Sequence, residues 1–329
     1  MVDVSRLGSD LLGADANANF LKLFAGETLS TFTEANKFLP LINTRTISSG
    51  KSAAFPVVGT AAAHWHTAGE SVITDADEGS ANYLSKIKST EREIFIDDVL
   101  VSSVLIDDLD AMKNHWDHRS EYSSAIGRAL ALECDKHILA SIYAGSAANG
   151  NISGDSTLGG TTITKAAGVD NLILSAFEAA EQLDENDVPS DDRYMAVDPN
   201  RYYLLAQKTD MVNRDFGGSN GVYADGTVLK VAGFTIVKTN NMGTTNASAV
   251  TDTGAKNDPF GGAGIGYNGD WTNVQGLCFH RSAAGCVKMA DLKVQSEYQL
   301  DRMAHLLMAS YAMGHNYLRP EACVALKTS

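Results

Sequence analysis

Hydrophobic and polar positions along this chain follow two periods, and each change of period marks an element. Phe20, Leu23, Phe24 and Leu29 recur at helical spacing and predict a helix from Asn19 to Ala35, at the end of a loosely patterned opening stretch. From Thr46 to Val58 the period falls to two, which puts Lys51, Ala53, Phe55 and Val57 on one side of an extended strand. A second extended run, Tyr83 to Ile96, places Lys86, Lys88 and Arg92 on one side and Ser85, Ile87 and Ser89 on the other. Between them, residues 60–80 are rich in Gly, Ala and acidic side chains, so the pair reads as a long hairpin with polar flanks. With so few large apolar side chains an isolated hairpin is marginal in water, and its open edge invites another chain. Packing onto a neighbouring subunit is the expected remedy.

After a short apolar stretch, Val99 to Ile106, the helical period returns. The run opens at Asn114, an expected N-cap, and carries Tyr122, Ile126, Ala129, Leu130, Ile138, Leu139 and Ile142 before AGSAANGN ends it. About thirty residues make a rod of roughly 45 Å, long for a compact domain and suited to an elongated subunit. Residues 145–165 read as a Gly/Ser/Thr/Asn-rich link. A helix from Val169 to Leu183, a strand from Arg193 to Val197, a helix after Asp198-Pro199 and a strand from Gly233 to Val237 follow, the alternation of a small α/β or α+β unit. From Val274 to Leu326 the pattern is again that of strands, with Leu292, Val294, Tyr298 and Leu300 on alternate positions and Ala322 to Leu326 closing the chain. The long helix and this last part are expected to share one core.

Composition narrows the function classes. At 329 residues and 44% hydrophobic content the chain can bury one large core or two modest ones. A net charge of −14 argues against a surface that grips phosphates, because nucleic-acid affinity comes from clustered Lys and Arg. Residues 61–125 hold thirteen Asp and Glu against five Lys and Arg, whereas residues 1–60 hold five of each, so the opening arm is neutral and the following segment acidic. Cys134, Cys278, Cys286 and Cys323 lack paired spacing and are expected to be small buried apolar residues. Nothing approaches the roughly 20 uncharged apolar residues of a membrane helix, and MVDVSRLGSDLLG lacks the features of a signal peptide. The expectation is a protein made and used in a cytoplasm.

The motifs with possible chemistry read better as structure. Ser49-Gly50-Lys51-Ser52 looks like the end of a phosphate-binding loop, but its first glycine would fall at Arg45 and a strand, not a helix, follows. Gly264 to Gly269 fits a GxGxxG pattern by letter, yet it precedes a strand and reads as a flexible surface loop. His64 with His66, and His115 with His118, lack further ligands at zinc spacing, and Asp75, Asp77 and Glu78 lack the closing Glu of a calcium loop. These are read as packing imidazoles and a solvated acidic tip. No catalytic, cofactor-binding or metal residues are assigned, and no local signature of a nucleophile with its base appears.

Several blocks resemble the major capsid protein of short-tailed podoviruses of the T-7 group. They are NFLKLFAGETLSTF at 19–32, TISSGKSAAFPVVG at 46–59, DVLVSSVLIDDLDAMKNHWDHRSEYSSAIGRALA at 98–131, HRSAAGCVKMADL at 280–292 and YAMGHNYLRPEA at 311–322. The likeness runs in order through most of the chain and is weakest over about 145–275. It implies an α+β chain with the HK-97-like phage capsid fold. The implied parts are an N-terminal arm (1–44), an extended loop (45–97), a peripheral domain (98–165 and 280–329) with a spine helix at 114–145, and an axial domain (166–279). It further implies pentamers and hexamers of this chain in an icosahedral head, assembled in the host bacterium with a scaffolding protein and a portal protein. The head would enclose double-stranded DNA through weak, non-specific contacts, with no membrane and no cofactor. Lys51, Phe55, Trp65, Lys86, Lys88 and Arg92 on the hairpin are the residues expected at contacts between subunits. No cross-link between subunits is expected. An encapsulin shell, a cytoplasmic α+β enzyme and another phage structural protein are the alternatives.

Overall fold

The computed structural model describes residues 27–58, 89–107, 119–151, 159–208, 221–222, 227–228 and 230–329, apart from 34, 249, 251, 253 and 262–265, together with 63, 65, 68 and 87. Residues 27–33 and 35 are helical, matching the second half of the helix expected over 19–35; residues 19–26 lie outside the described residues. Four strands follow: β1 (Asn43–Thr46), β2 (Ser52–Val58), β3 (Ser89–Phe95) and β4 (Leu100–Asp107). The long helix α1 (Arg119–Ser146) leads to β5 (Thr161–Lys165), α2 (Val169–Glu185), β6 (Arg193–Val197) and α3 (Pro199–Ala206). Short strands β7 (Gly221–Val222), β8 (Thr227–Val228) and β9 (Lys230–Val231) precede β10 (Phe234–Lys238). The chain closes with β11 (Val274–His280), β12 (Ala284–Gln299), β13 (Ala304–Tyr317) and β14 (Cys323–Thr328).

Two sheets flank α1. One has the order β1-β12-β13-β4 and the other β5-β14-β11-β6-β10-β9. The segment read as a link between 145 and 165 supplies β5, which pairs in parallel with β14, so the six-stranded sheet is continuous across positions 165/166 and 279/280. β6 and β10 run parallel and are joined through α3, the crossover that parallel neighbours need. Pro199 opens α3 at a position where a missing N–H costs nothing.

The 28 residues of α1 span about 42 Å. Leu130, Ile138, Leu139 and Ile142 are fully or almost fully buried, and they share one core with Leu307 and Tyr311 of β13 and with Leu277, Val324 and Leu326 of the other sheet. The shared core expected from sequence is therefore present. In α2, Leu172, Ala176, Ala179 and Leu183 form the buried stripe of an amphipathic helix. All four cysteines are free and buried, and burial pushes the Cys134 thiol up to about 12, as fits small apolar fillers. The arm helix lies on α1 of its own chain: a Cβ at Gly127 would stand 2.7 Å from the Thr28 carbonyl, so only glycine admits this approach.

Candidate assembly interface

The hairpin is present where it is described. β2 and β3 pair antiparallel from Ser52 opposite Phe95 to Val58 opposite Ser89. Ala53 and Ile94 point inward and are buried with Val287 of β12 and Leu318, while Ile47, Phe55 and Ile96 pack around them. The C-terminal strands of the same chain thus supply a small core to the root of the hairpin, where packing onto a neighbouring subunit was expected. Two arginines cover this small core. Arg45 donates to the Ala54 carbonyl at 2.9 Å with its guanidinium 5.9 Å from the Phe55 ring centroid, and Arg92 lies 4.1 Å over the Tyr317 ring.

Just past β3 the root is clasped by polar groups. The Phe95 N–H donates to Asn257 Oδ1 at 3.0 Å, and Asn257 Nδ2 returns a bond to the Phe95 carbonyl at 2.6 Å. Asp97 accepts from the Lys256 N–H at 2.7 Å, from the Asn257 N–H at 3.2 Å and from the Tyr267 hydroxyl at 2.6 Å. The same hydroxyl accepts from the His315 N–H at 3.0 Å. The His137 ring of α1 stacks on Tyr267 with centroids 4.2 Å apart. Hairpin, long helix, β13 and the residues Lys256, Asn257 and Tyr267 thus meet at one buried point. Burial raises the Asp97 carboxyl above the usual range against the pull of these bonds. Burial also lowers the His315 imidazole to about 3, so it is neutral, and its Nδ1 has no hydrogen-bond partner among the described residues.

A second clasp fixes the arm. Asp135 of α1 accepts from the backbone N–H groups of Lys37 and Phe38, each at 3.2 Å, and from Asn241 Nδ2 at 3.3 Å. Its carboxyl is raised to about 6, chiefly by burial. Phe38 is fully buried beside Phe279, and Phe32 packs against Tyr311 with ring centroids 5.9 Å apart.

The residues expected at subunit contacts fall into three groups. Lys51 is exposed at the hairpin root and Trp65 beyond it is 98% exposed. Phe55 and Arg92 are half-buried with partners in their own chain. Lys86 and Lys88 lie outside the described residues, as do His64, His66, His115, His118, Asp75, Asp77 and Glu78. Sequence reasoning missed Asp97, Tyr267, Asn257 and Asp135. Tyr267 belongs to the segment read as a flexible surface loop, yet it is 6% exposed. A tyrosine inside a glycine-rich run was the available signal, since a large aromatic there needs a place to pack.

A family model described as Gp10A-like major capsid protein matches residues 54–327, from within β2 through most of β14. The chain belongs to the Gp10A-like major capsid protein family. The major capsid protein of Escherichia phage T7 is 35% identical over 332 residues, covering 95% of this chain and 92% of that protein. The capsid structure of the cyanophage P-SCSP1u superposes with a TM-score of 0.75 at 34% identity, covering 99% of this chain and 93% of that one. The mature capsid of bacteriophage PhiM1, at 16% identity and a TM-score of 0.69, shares the fold over 100% of this chain and 92% of its own. The fold is thus the HK-97-like capsid fold, and the chain is a structural capsid protein of the phage head rather than an encapsulin or an enzyme. Among the described residues no helix is long and apolar enough to cross a membrane.

Proposed function

We propose that this capsid protein assembles as pentamers and hexamers into an icosahedral head around double-stranded DNA, with a scaffolding protein and a portal protein as partners during assembly in the host cytoplasm. The hairpin carries this reading. Its root is held by a small core and a buried polar clasp, while Trp65 beyond the root is 98% exposed. Tryptophan is among the side chains most enriched at the energetic centres of protein interfaces. A fixed root with an exposed aromatic beyond it suits an arm that reaches a neighbouring subunit.

In this reading residues 1–44 are the arm and 45–97 the extended loop. Residues 98–165 with 280–329 form the peripheral domain, and 166–279 the axial domain. Lys51, Trp65, Lys86 and Lys88 meet the neighbour, and Phe55 and Arg92 set the angle at which the loop leaves the body. The net charge of −14 suits a wall that encloses DNA without gripping it. Deletion of residues 62–78 tests this role. Light scattering and circular dichroism should report a folded subunit that forms no particles, and normal particles from the deletion variant would refute it.

A further inference from the structure

The side of α2 turned away from its buried stripe is not uniformly polar. Leu174 and Phe177 lie one turn apart and are 53% and 56% exposed. Glu181, one turn beyond Phe177, is exposed as well, so an apolar pair and a carboxylate share one outward stripe. The neighbouring carboxylates of the helix are matched within the chain. Asp170, Glu178 and Asp184 pair with Lys208, Lys165 and Arg193, and Glu185 accepts from Gln182 Nε2. Glu181 has no ion-pair partner among the described residues.

A surface of opposite character lies at the end of β10. Lys238 Nζ donates to the Tyr203 hydroxyl of α3 at 2.9 Å and stands 4.7 Å from the centroid of that ring. The Tyr203 ring is itself 48% exposed. The exposed Lys37 lies alongside and donates to the Lys238 carbonyl at 3.0 Å. Lys238 therefore has a neutral ring and a neutral hydroxyl for partners, and no carboxylate reaches it within ion-pair distance among the described residues. One surface is apolar and acidic, the other aromatic and basic.

We propose that these two surfaces meet between copies of this chain, with Leu174, Phe177 and Glu181 of one copy docking on Tyr203, Lys238 and Lys37 of the next. The partner is a second copy because each surface supplies what the other lacks. Glu181 gains an ammonium, Lys238 gains a carboxylate, and Phe177 covers the Tyr203 ring. Like surfaces do not suit each other, since a two-fold contact through α2 would set Glu181 against Glu181. The contact is therefore head-to-tail, the kind that closes identical subunits into rings. It rests on the assembly proposed above and assigns that assembly a second contact, away from the hairpin.

Charge reversal tests the contact in the full-length chain. Glu181→Lys sets a lysine against Lys238, and Lys238→Glu sets a glutamate against Glu181, so each should cut the yield of capsomers or particles about fivefold or more. The double reversal restores opposite charges and should return the yield to within about twofold of wild type. A second arm is independent of charge. All four native cysteines are buried, so Phe177→Cys combined with Tyr203→Cys in one chain should, on mild oxidation, give a ladder of disulfide-linked oligomers beyond the dimer. Either cysteine alone should give none. Normal yield from both single reversals, a double reversal as poor as the singles, no ladder, or a dimer from Phe177→Cys alone would each overturn the contact while leaving the assembly reading intact. Absence of capsomers and particles from the wild-type chain would remove that reading and the contact with it.

Discussion

The Tyr267 hydroxyl donates to Asp97 at 2.6 Å, joining residues 170 positions apart beneath the root of the hairpin. Through this bond and the His315 N–H, the long helix, β13 and the hairpin share one anchor. Tyr267→Phe removes the donor to a buried carboxylate and leaves the His315 N–H without its acceptor. The expected loss is about 1–3 kcal/mol, read from urea unfolding of the subunit. Asp97→Asn should cost less, because Oδ1 still accepts from the 256 and 257 N–H groups and the hydroxyl can turn to the His315 carbonyl at 2.9 Å.

At Gly314 the hairpin root lies tightly against β13. A Cβ there would stand 1.8 Å from the Phe95 carbonyl oxygen, a backbone atom with no freedom to swing away. Gly314→Ala must therefore separate the two strands, at a cost of about 3 kcal/mol or more. A thermal melt and the soluble yield of the variant check this. A similar change at Gly233, where no atom lies within 4 Å, meets only the strain of its positive φ.

Asp135 makes stability depend on pH in a direction opposite to most carboxylates. Its folded value is about 6 against an ordinary 3.8, so the folded chain holds the proton that the unfolded chain releases first. Stability from this group is full below about 4 and is lost as pH rises to about 6, a difference of about 3 kcal/mol. His315, lowered to about 3, works in the other sense: its contribution is lost as pH falls from about 6.5 toward 3. The two overlap, so the wild-type curve alone does not separate them. Asp135→Asn does, since its deficit relative to wild type should be larger at pH 4 than at pH 7 in matched urea titrations.

Trp65 and Phe55 should divide stability from assembly. Trp65→Ala, at a site 98% exposed, should leave the melting temperature unchanged and reduce particle yield. Phe55→Ala opens the small core under Arg45 and should cost about 1–3 kcal/mol in the free subunit. Differential scanning fluorimetry with electron microscopy of the same samples separates the two effects.

Elements built from strong periods were legible. The period-two runs gave β2 and β3, and the spacing of Ile126, Leu130, Ile138 and Ile142 gave α1. β1 was not legible, because Asn43–Thr46 is polar and exposed on both faces and exists as a strand through its parallel pairing with β12. β5 hid in a threonine-rich segment for a similar reason: of its five residues only Ile163 is buried. The clasp could not be read at all, since hydrogen bonds between Asp97, Asn257 and Tyr267 depend on register and closure, which local spacing does not encode. The family blocks carried the function, while the physical pattern carried the need for a partner.

Electron microscopy of the full-length chain expressed with and without the proposed scaffolding protein tests the account most directly. Closed icosahedral particles or capsomers are the expected result. Uniform monomers at high concentration in both preparations would contradict it.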